Sequence, residues 1–273
     1  MTKHALWCYH LSLIRLEMLI RIRETLLGEA LLLKTAYKRE GLYYVIRKGF
    51  KYAATWPSNI ATAFYYRHLK RNKLTFIYQG KKCSYFYHSY NTTWKNERSL
   101  EVPIIWGMVE EYQGKRILEV GNVLHHYFPC RHDVVDLYEK YPGVINQDIV
   151  DFRPSKKYDL VVSISTLEHV GWDCKPREPG KILTVLKTLI EHALAPKGKI
   201  VVTVPLGYNA ELDKFLAEGK INFAHISCFR RSSLRTGEWK EVNWDEIRNK
   251  EFDVDGKWCS DNKVFLVGII TKG

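Results

Sequence analysis

From residue 104 onward the chain alternates between short apolar runs of strand length and longer segments whose apolar residues recur every three or four positions. The pattern predicts a helix over residues 104–112, ended by Gly114, and strands at 116–121, 133–136, 143–147 and 158–164. A helix is predicted over 180–195, stopped by Pro196-Lys197-Gly198, and it precedes a strongly apolar strand at 199–204. Two further strands, near 223–229 and 263–271, close the set. Strands alternating with helices in this way predict an α/β fold: a doubly wound, mostly parallel seven-stranded sheet.

The first hundred residues read differently. Leu13, Leu16, Ile20, Leu27 and Leu31 recur at roughly helical spacing, so residues 1–73 are expected to be mostly helical. Arg15, Glu17, Arg21, Arg23 and Glu24 interrupt the apolar stretch. It therefore lacks the roughly 18 uncharged residues that span a bilayer and does not read as a signal peptide. The apolar face of this helix either packs on the main domain or lies on a membrane surface. Residues 74–90 predict a β-hairpin turning at Gln79-Gly80-Lys81. The expected organisation is a helical module with a hairpin over 1–99 and an α/β domain over 100–273.

Charge sharpens this division. Residues 1–73 carry 14 Lys and Arg against 4 Glu, a surplus of ten out of the chain's net +12. The basic character thus belongs to the N-terminal module, which suits an anionic membrane surface or an acidic partner. Tyr43, Tyr44, Tyr65 and Tyr66 lie among these cations, yet nothing matches a nucleic-acid motif, and nucleic-acid binding is not expected. The six cysteines include no C-x-x-C pair, which argues against a disulfide framework or zinc ribbon and fits a reducing cytoplasm. Oligomeric state is not legible.

Candidate chemistry collects at the predicted strand ends, where open α/β sheets bind ligands. Glu119 and Gly121 end the first strand, but Asn122, Val123, Leu124 and His125 follow in place of a full G-x-G-x-x-G loop, so no pyrophosphate cradle is expected. Asp136 ends the second strand, and its carboxylate suits a pair of ribose hydroxyls. Asp148 follows the third and suits an adenine amino group. The stretch Ser163-Ile164-Ser165-Thr166-Leu167-Glu168-His169-Val170 follows the fourth. Residues 90–103, dense in polar and aromatic side chains, form either a wall of the site or a helix cap with surface ion pairs. His125, His126, Cys130 and His132 are all ligand types, but their spacing fits no zinc motif and no metal is expected.

These motifs together resemble the class I S-adenosylmethionine-dependent methyltransferases over roughly residues 100–273, and more narrowly prokaryotic, often archaeal, proteins with Leu-Glu-Val-Gly-Asn-Val-Leu and Ser-Thr-Leu-Glu-His-Val-Gly-Trp-Asp stretches. The resemblance implies S-adenosylmethionine as cofactor, with Glu119, Gly121 and Asn122 bordering its methionine part. It implies Asp136 as the ribose acid, with Glu139 as substitute, and Asp148 at the adenine. Ser163, Ser165 and Leu167 fall beside the reacting methyl. The second and third glycines of the family's first motif are replaced by Val123 and His125, and the helix after the first strand is expected to be short or missing. His169 is the candidate general base, since imidazole titrates near neutrality, with Glu168 orienting it or serving as base itself. His169 otherwise caps the next turn or lines the pocket. The implied activity is methyl transfer to a small-molecule or glycan-type acceptor. The alternative is a non-catalytic binding module with a degenerate cofactor loop; RNA methylation is not expected, since no Asn/Asp-Pro-Pro-Tyr-type motif is present.

Overall fold

The alternating pattern folds into an eight-stranded sheet covered on both faces. The computed structural model describes residues 74–232, 237–248 and 263–273, with residues 62, 65 and 250. The expected N-terminal amphipathic helix and nearly all of the basic module lie outside the described residues. Among the described residues no helix is long and apolar enough to cross a membrane.

In chain order the elements are β1 (Thr75–Tyr78), β2 (Lys81–Ser84), α1 (Arg98–Glu111), β3 (Ile117–Val120), β4 (Asp133–Val135), β5 (Val144–Ile145), β6 (Tyr158–Ile164), α2 (Lys181–Thr188), β7 (Leu194–Pro205), α3 (Ala210–Ala217), β8 (His225–Arg231), β9 (Trp239–Val242), α4 (Trp244–Ile247) and β10 (Val264–Thr271). The sheet order is β5-β4-β3-β6-β7-β10-β8-β9. Strands β3 to β7 pair in parallel, and β10 inserts antiparallel between β7 and β8. This is the Rossmann-like sheet expected, with one correction to its count. The eighth strand, β9, is an antiparallel edge strand whose Lys240 and Glu241 disguise it in the sequence.

Neighbouring residues on the central strands point to opposite faces. Leu118, Val161 and Val202 pack with Ile182 and Val185 of α2 and Leu212 and Leu216 of α3. Ile117, Leu160 and Val201 pack on the other face with Leu100, Ile104 and Ile105 of α1 and with Phe76 and Tyr78 of the hairpin. Burial on both faces explains why β6 reads as a nearly continuous apolar run. The hairpin turns through Gln79 and Gly80 at φ 49° and 74°, the backbone of a tight two-residue turn. It shares a core with the sheet, and the boundary read near residue 100 falls inside α1.

Helix α1 also starts six residues earlier than predicted. Pro103 lacks the N–H that would bond the Ser99 carbonyl. That carbonyl instead accepts from Phe86 N at 2.8 Å, so the helix continues through the proline. The connection after β3 carries only a 3₁₀ turn, Leu124–His126, where a longer helix would otherwise stand.

Candidate functional site

Three layers of polar contacts meet at the carboxyl edge of β3, β4 and β6. Glu119 is fully buried on β3. Its Oε1 accepts from Val123 N at 2.9 Å and Leu124 N at 2.8 Å, and its Oε2 lies 2.8 Å from His132 Nε2. The carboxylate therefore organises the loop that the missing glycines leave irregular. Gly121 sits at φ +88°, where side chains are strained. A Cβ there would lie 2.3 Å from Thr166 Oγ1 and 2.6 Å from its Cγ2. The glycine is thus required by the close approach of the loops after β3 and β6. Asn122 N donates to Asp136 Oδ2 at 3.1 Å, and its Oδ1 contacts His125 Nδ1 at 2.7 Å. Its Nδ2 is buried with no partner among the described residues.

Asp136, half-buried at the end of β4, also accepts at Oδ1 from Tyr138 N at 2.8 Å and Glu139 N at 2.7 Å. A carboxylate offers about four lone-pair positions, so one remains beyond these three backbone donors. Glu139 is engaged by His126 Nε2 at 3.0 Å, and His126 stacks on Tyr90. Asp148 points elsewhere. Its Oδ2 pairs with Lys181 Nζ at 2.8 Å and its Oδ1 caps Val150 N. Burial would raise its pKa, but the hydrogen bonds from Lys181 and Val150 hold it below the ordinary value. A groove of about 650 Å³ runs past Asp148 and the start of α2, touching neither Gly121 nor His169.

The stretch after β6 divides by depth. Ser163 is buried and donates to the Val120 carbonyl at 3.0 Å, fastening β6 to β3. Leu167 is core. Ser165 adopts φ +39°, a backbone conformation that costs a non-glycine residue about 1–3 kcal/mol and concentrates at functional sites. It is held there by Ser165 N donating to Thr203 O at 3.0 Å and by its hydroxyl donating to Glu101 Oε1 at 2.5 Å.

Glu101 belongs to a buried polar array that sequence reasoning left unresolved. Arg98 reaches from the first turn of α1 to Glu101 Oε2 at 3.3 Å and to the Ile164 carbonyl at 3.1 Å. Arg98 thus ties the start of α1 to the carboxyl end of β6. Burial works against the Arg98 charge, yet Glu101, Tyr127, Glu97 and Glu168 together outweigh it and raise the Arg98 pKa. Burial raises the Glu101 pKa, with Arg98 opposing. Glu168, 1% exposed, is pushed well above the carboxylate range by burial, with Glu101 adding to the effect. Its Oε2 has no partner among the described residues.

His169 lies at the surface end of this array, its side chain 46% exposed. Its Nδ1 is 2.8 Å from Asp173 Oδ2 and its Nε2 is 3.7 Å from Glu168 Oε1. Tyr208 OH donates to Asp173 at 3.0 Å, and its ring meets the imidazole edge to face. Burial followed by the Asp173 hydrogen bond pushes the Tyr208 pKa up to about 12, keeping the phenol a donor. Asp173, and not Glu168, therefore orients His169. Asp173 was detectable in the sequence as a carboxylate four residues after the histidine; Tyr208 and Thr203 carried no such signal.

Of the ligand-type residues in the loop after β3, His125 and His126 leave the group and Glu119 joins it. Glu119, Cys130 and His132 bring their donor atoms within 4.8 Å of one another. The Glu119–His132 hydrogen bond accounts for that proximity. Burial pushes the Cys130 thiol upward, which keeps it protonated.

No family model matches the chain, and no curated protein matches it. Solved structures do. The N-methyltransferase NodS from Bradyrhizobium japonicum WM9 is 13% identical, with 65% of this chain and 97% of that chain covered and a TM-score of 0.40. A TehB-like SAM-dependent methyltransferase from Corynebacterium glutamicum is 21% identical over 63% of this chain and 87% of that one, with a TM-score of 0.36. Coclaurine N-methyltransferase, bound to N-methylheliamine and SAH, is 13% identical over 94% and 98% of the two chains, with a TM-score of 0.39. The chain's own sheet order, with an antiparallel strand inserted near one edge and a glycine turn at the carboxyl end of β3, gives it the Rossmann-like fold that the class I methyltransferase resemblance implies.

Proposed function

We propose that the protein is an S-adenosylmethionine-dependent methyltransferase acting on a small-molecule or glycan-type acceptor. The observation that carries this reading is the Asp173–His169–Glu168 arrangement at the carboxyl edge of β6, beside the Gly121 turn. It supports the reading by pairing an oriented imidazole with a buried carboxyl on the stretch that the resemblance associates with the reacting methyl.

The residues present fit the cofactor at its methionine and ribose ends. Asn122 Nδ2 is a buried donor in want of an acceptor, and Asp136 retains a position for a hydroxyl. The adenine end fits less well, because Asp148 is committed to Lys181. When bound, the cofactor supplies a methyl group already activated on a sulfonium. The chain's residues then have two tasks. Ser165, Glu101 and Arg98 hold the floor of the acceptor site in one geometry, and such positioning can contribute roughly 7–11 kcal/mol. His169, held by Asp173 at Nδ1, offers Nε2 to a proton leaving the acceptor, a service worth about 10²–10⁴-fold.

A non-catalytic binding module is the second reading. It is favoured by Thr166, which fills the space above Gly121, and by the backbone donors already on Glu119 and Asp136. Calorimetry separates the two: micromolar binding of S-adenosylmethionine and S-adenosylhomocysteine supports the enzyme, and no binding at millimolar ligand removes it. The basic residues 1–73 suit docking of a cytoplasmic enzyme on an anionic membrane. Salt-sensitive flotation with phosphatidylglycerol vesicles is expected, and equal recovery with and without vesicles refutes it.

A further inference from the structure

We propose that Glu119, Cys130 and His132 form a binding site for a zinc-type divalent ion that fastens the loop between β3 and β4. The site is independent of the methyltransferase reading: it concerns how the loop is held, whatever reaction the edge of the sheet performs.

The donor set and its geometry carry the proposal. One carboxylate oxygen, one thiol sulfur and one imidazole nitrogen lie within 4.8 Å of one another. Tetrahedral ligands about 2.0–2.3 Å from a zinc ion stand about 3.3–3.8 Å apart. The Glu119 Oε2 and His132 Nε2 pair, at 2.8 Å, opens by about 0.5 Å to reach that spacing, and no other pair closes by more than about 1.5 Å. Small side-chain rotations cover such shifts. Cys130 and His132 are two residues apart on the run into β4, and both are less exposed than the Pro129, Arg131 and Asp133 that alternate with them. Residues two apart on an extended run share a face, and here that face meets Glu119. Glu119 is itself anchored, because its Oε1 holds Val123 N and Leu124 N and leaves Oε2 for the ion. The ion thus joins residues 123 and 124, through the carboxylate, to residues 130 and 132. It spans a loop whose regular structure is one 3₁₀ turn.

Charge and softness select the ion. Sulfur and imidazole donors suit zinc better than magnesium or calcium. A divalent ion with one thiolate, one carboxylate and a neutral imidazole is electrically neutral, the form that buried surroundings tolerate. Burial keeps the free thiol protonated, but a coordinated thiol gives up its proton outright. One proton therefore leaves Cys130 as the metal–sulfur bond forms, while His132 keeps its own on Nδ1 and offers the Nε2 electron pair. Without the ion, the Glu119–His132 hydrogen bond holds the same two donors together. Cys130 is half-buried, so the ion reaches the donors along its side. His125 stays outside the shell: its Nδ1 faces Asn122 Oδ1 at 2.7 Å, and it also hydrogen-bonds the Cys130 backbone. Water takes the fourth position.

The test uses the full chain, reduced, stripped with a chelator and titrated with Co²⁺ alone. One equivalent per chain is expected to bind at about 10 µM or tighter and to give a thiolate-to-cobalt charge-transfer band. Cys130→Ser is expected to abolish the band, and His132→Ala to weaken binding by about 100-fold or more, beyond the loss of an outer-shell partner. No band at about tenfold excess of the ion, or a band unchanged in a folded Cys130→Ser protein, overturns the site. X-ray absorption on the zinc-loaded, unsubstituted chain decides the question even where a variant does not fold. One sulfur at about 2.3 Å with nitrogen and oxygen at about 2.0–2.2 Å is expected, and a shell with no sulfur, or with two or more, overturns the assignment.

Discussion

Gly121→Ala isolates the physical demand at the centre of the site. Two costs arise. The φ of +88° places alanine in a left-handed region, at about 1–2 kcal/mol. The new methyl would stand 2.3 Å from Thr166 Oγ1, 2.6 Å from its Cγ2 and 2.9 Å from its Cβ. Thr166 cannot turn away freely, because its hydroxyl donates to the Ile164 carbonyl at 3.0 Å. Such overpacking costs typically about 1–3 kcal/mol. The single substitution should therefore destabilise by roughly 2–5 kcal/mol. Thr166→Ala removes two of the three clashing atoms and one hydrogen bond, and alone should cost about 0.5–1.5 kcal/mol. In the double variant the clash is largely relieved while the backbone strain remains. Urea unfolding of the four proteins should then give a sum of single effects that exceeds the double effect by about 1–3 kcal/mol. Additive effects would refute the claim that Thr166 is what makes glycine necessary, and would return the role to backbone conformation alone.

Asp136→Ala is expected to weaken S-adenosylhomocysteine binding by more than about tenfold, since it removes the acceptor of Asn122 N along with a charged hydrogen bond; an unchanged dissociation constant by calorimetry places the ribose acid elsewhere. In the neutral form of His169 the proton is expected on Nδ1, facing Asp173, and long-range ¹H–¹⁵N correlation spectra should show that tautomer in the parent protein and its loss in Asp173→Ala. A dominant Nε2-protonated ring in the parent would contradict the assigned geometry. Asp213 gives a pH signature: burial raises its pKa from 3.8 to about 6, so the folded state holds the proton more tightly than the unfolded one. Its contribution is fully present below pH 3.8 and is lost as pH rises through 6, a change of about 3 kcal/mol. The stability of Asp213→Asn relative to the parent should rise by that amount between pH 4 and 7, and a pH-independent difference in urea unfolding would refute it.

The sheet was legible because its central strands are buried on both faces, so β6 and β7 announce themselves as apolar runs. Strand β9 was not, because an edge strand with one face in water needs few apolar residues. The polar contacts of the candidate site were legible where side chains follow strand ends, as at Glu119 and Asp136. They were obscured where local rules misdirect. Pro103 reads as a helix boundary, yet α1 runs through it because Phe86 takes the orphaned carbonyl, and that extra turn delivers Arg98 and Glu101. Asp148 reads as a ligand contact, but its partner Lys181 lies 33 residues away and no local pattern reveals it. The division of Glu168 and His169 into a buried and an exposed member is a matter of tertiary depth.

The place of β10 has a consequence for how the chain is made. Being inserted between β7 and β8, it is the strand that joins β8 and β9 to the rest of the sheet. Until it has been synthesised, those two strands are a detached hairpin, and the face that receives Phe76 and Tyr78 lacks Phe265 and Val267. The Tyr85 hydroxyl likewise waits for Trp239 N, 154 residues later. Contacts of such separation make folding slow and leave apolar strand edges open during synthesis. Release of a ribosome-stalled chain ending before residue 264 should therefore yield an aggregation-prone intermediate, whereas a chain carrying β10 clear of the exit tunnel should close in one cooperative step.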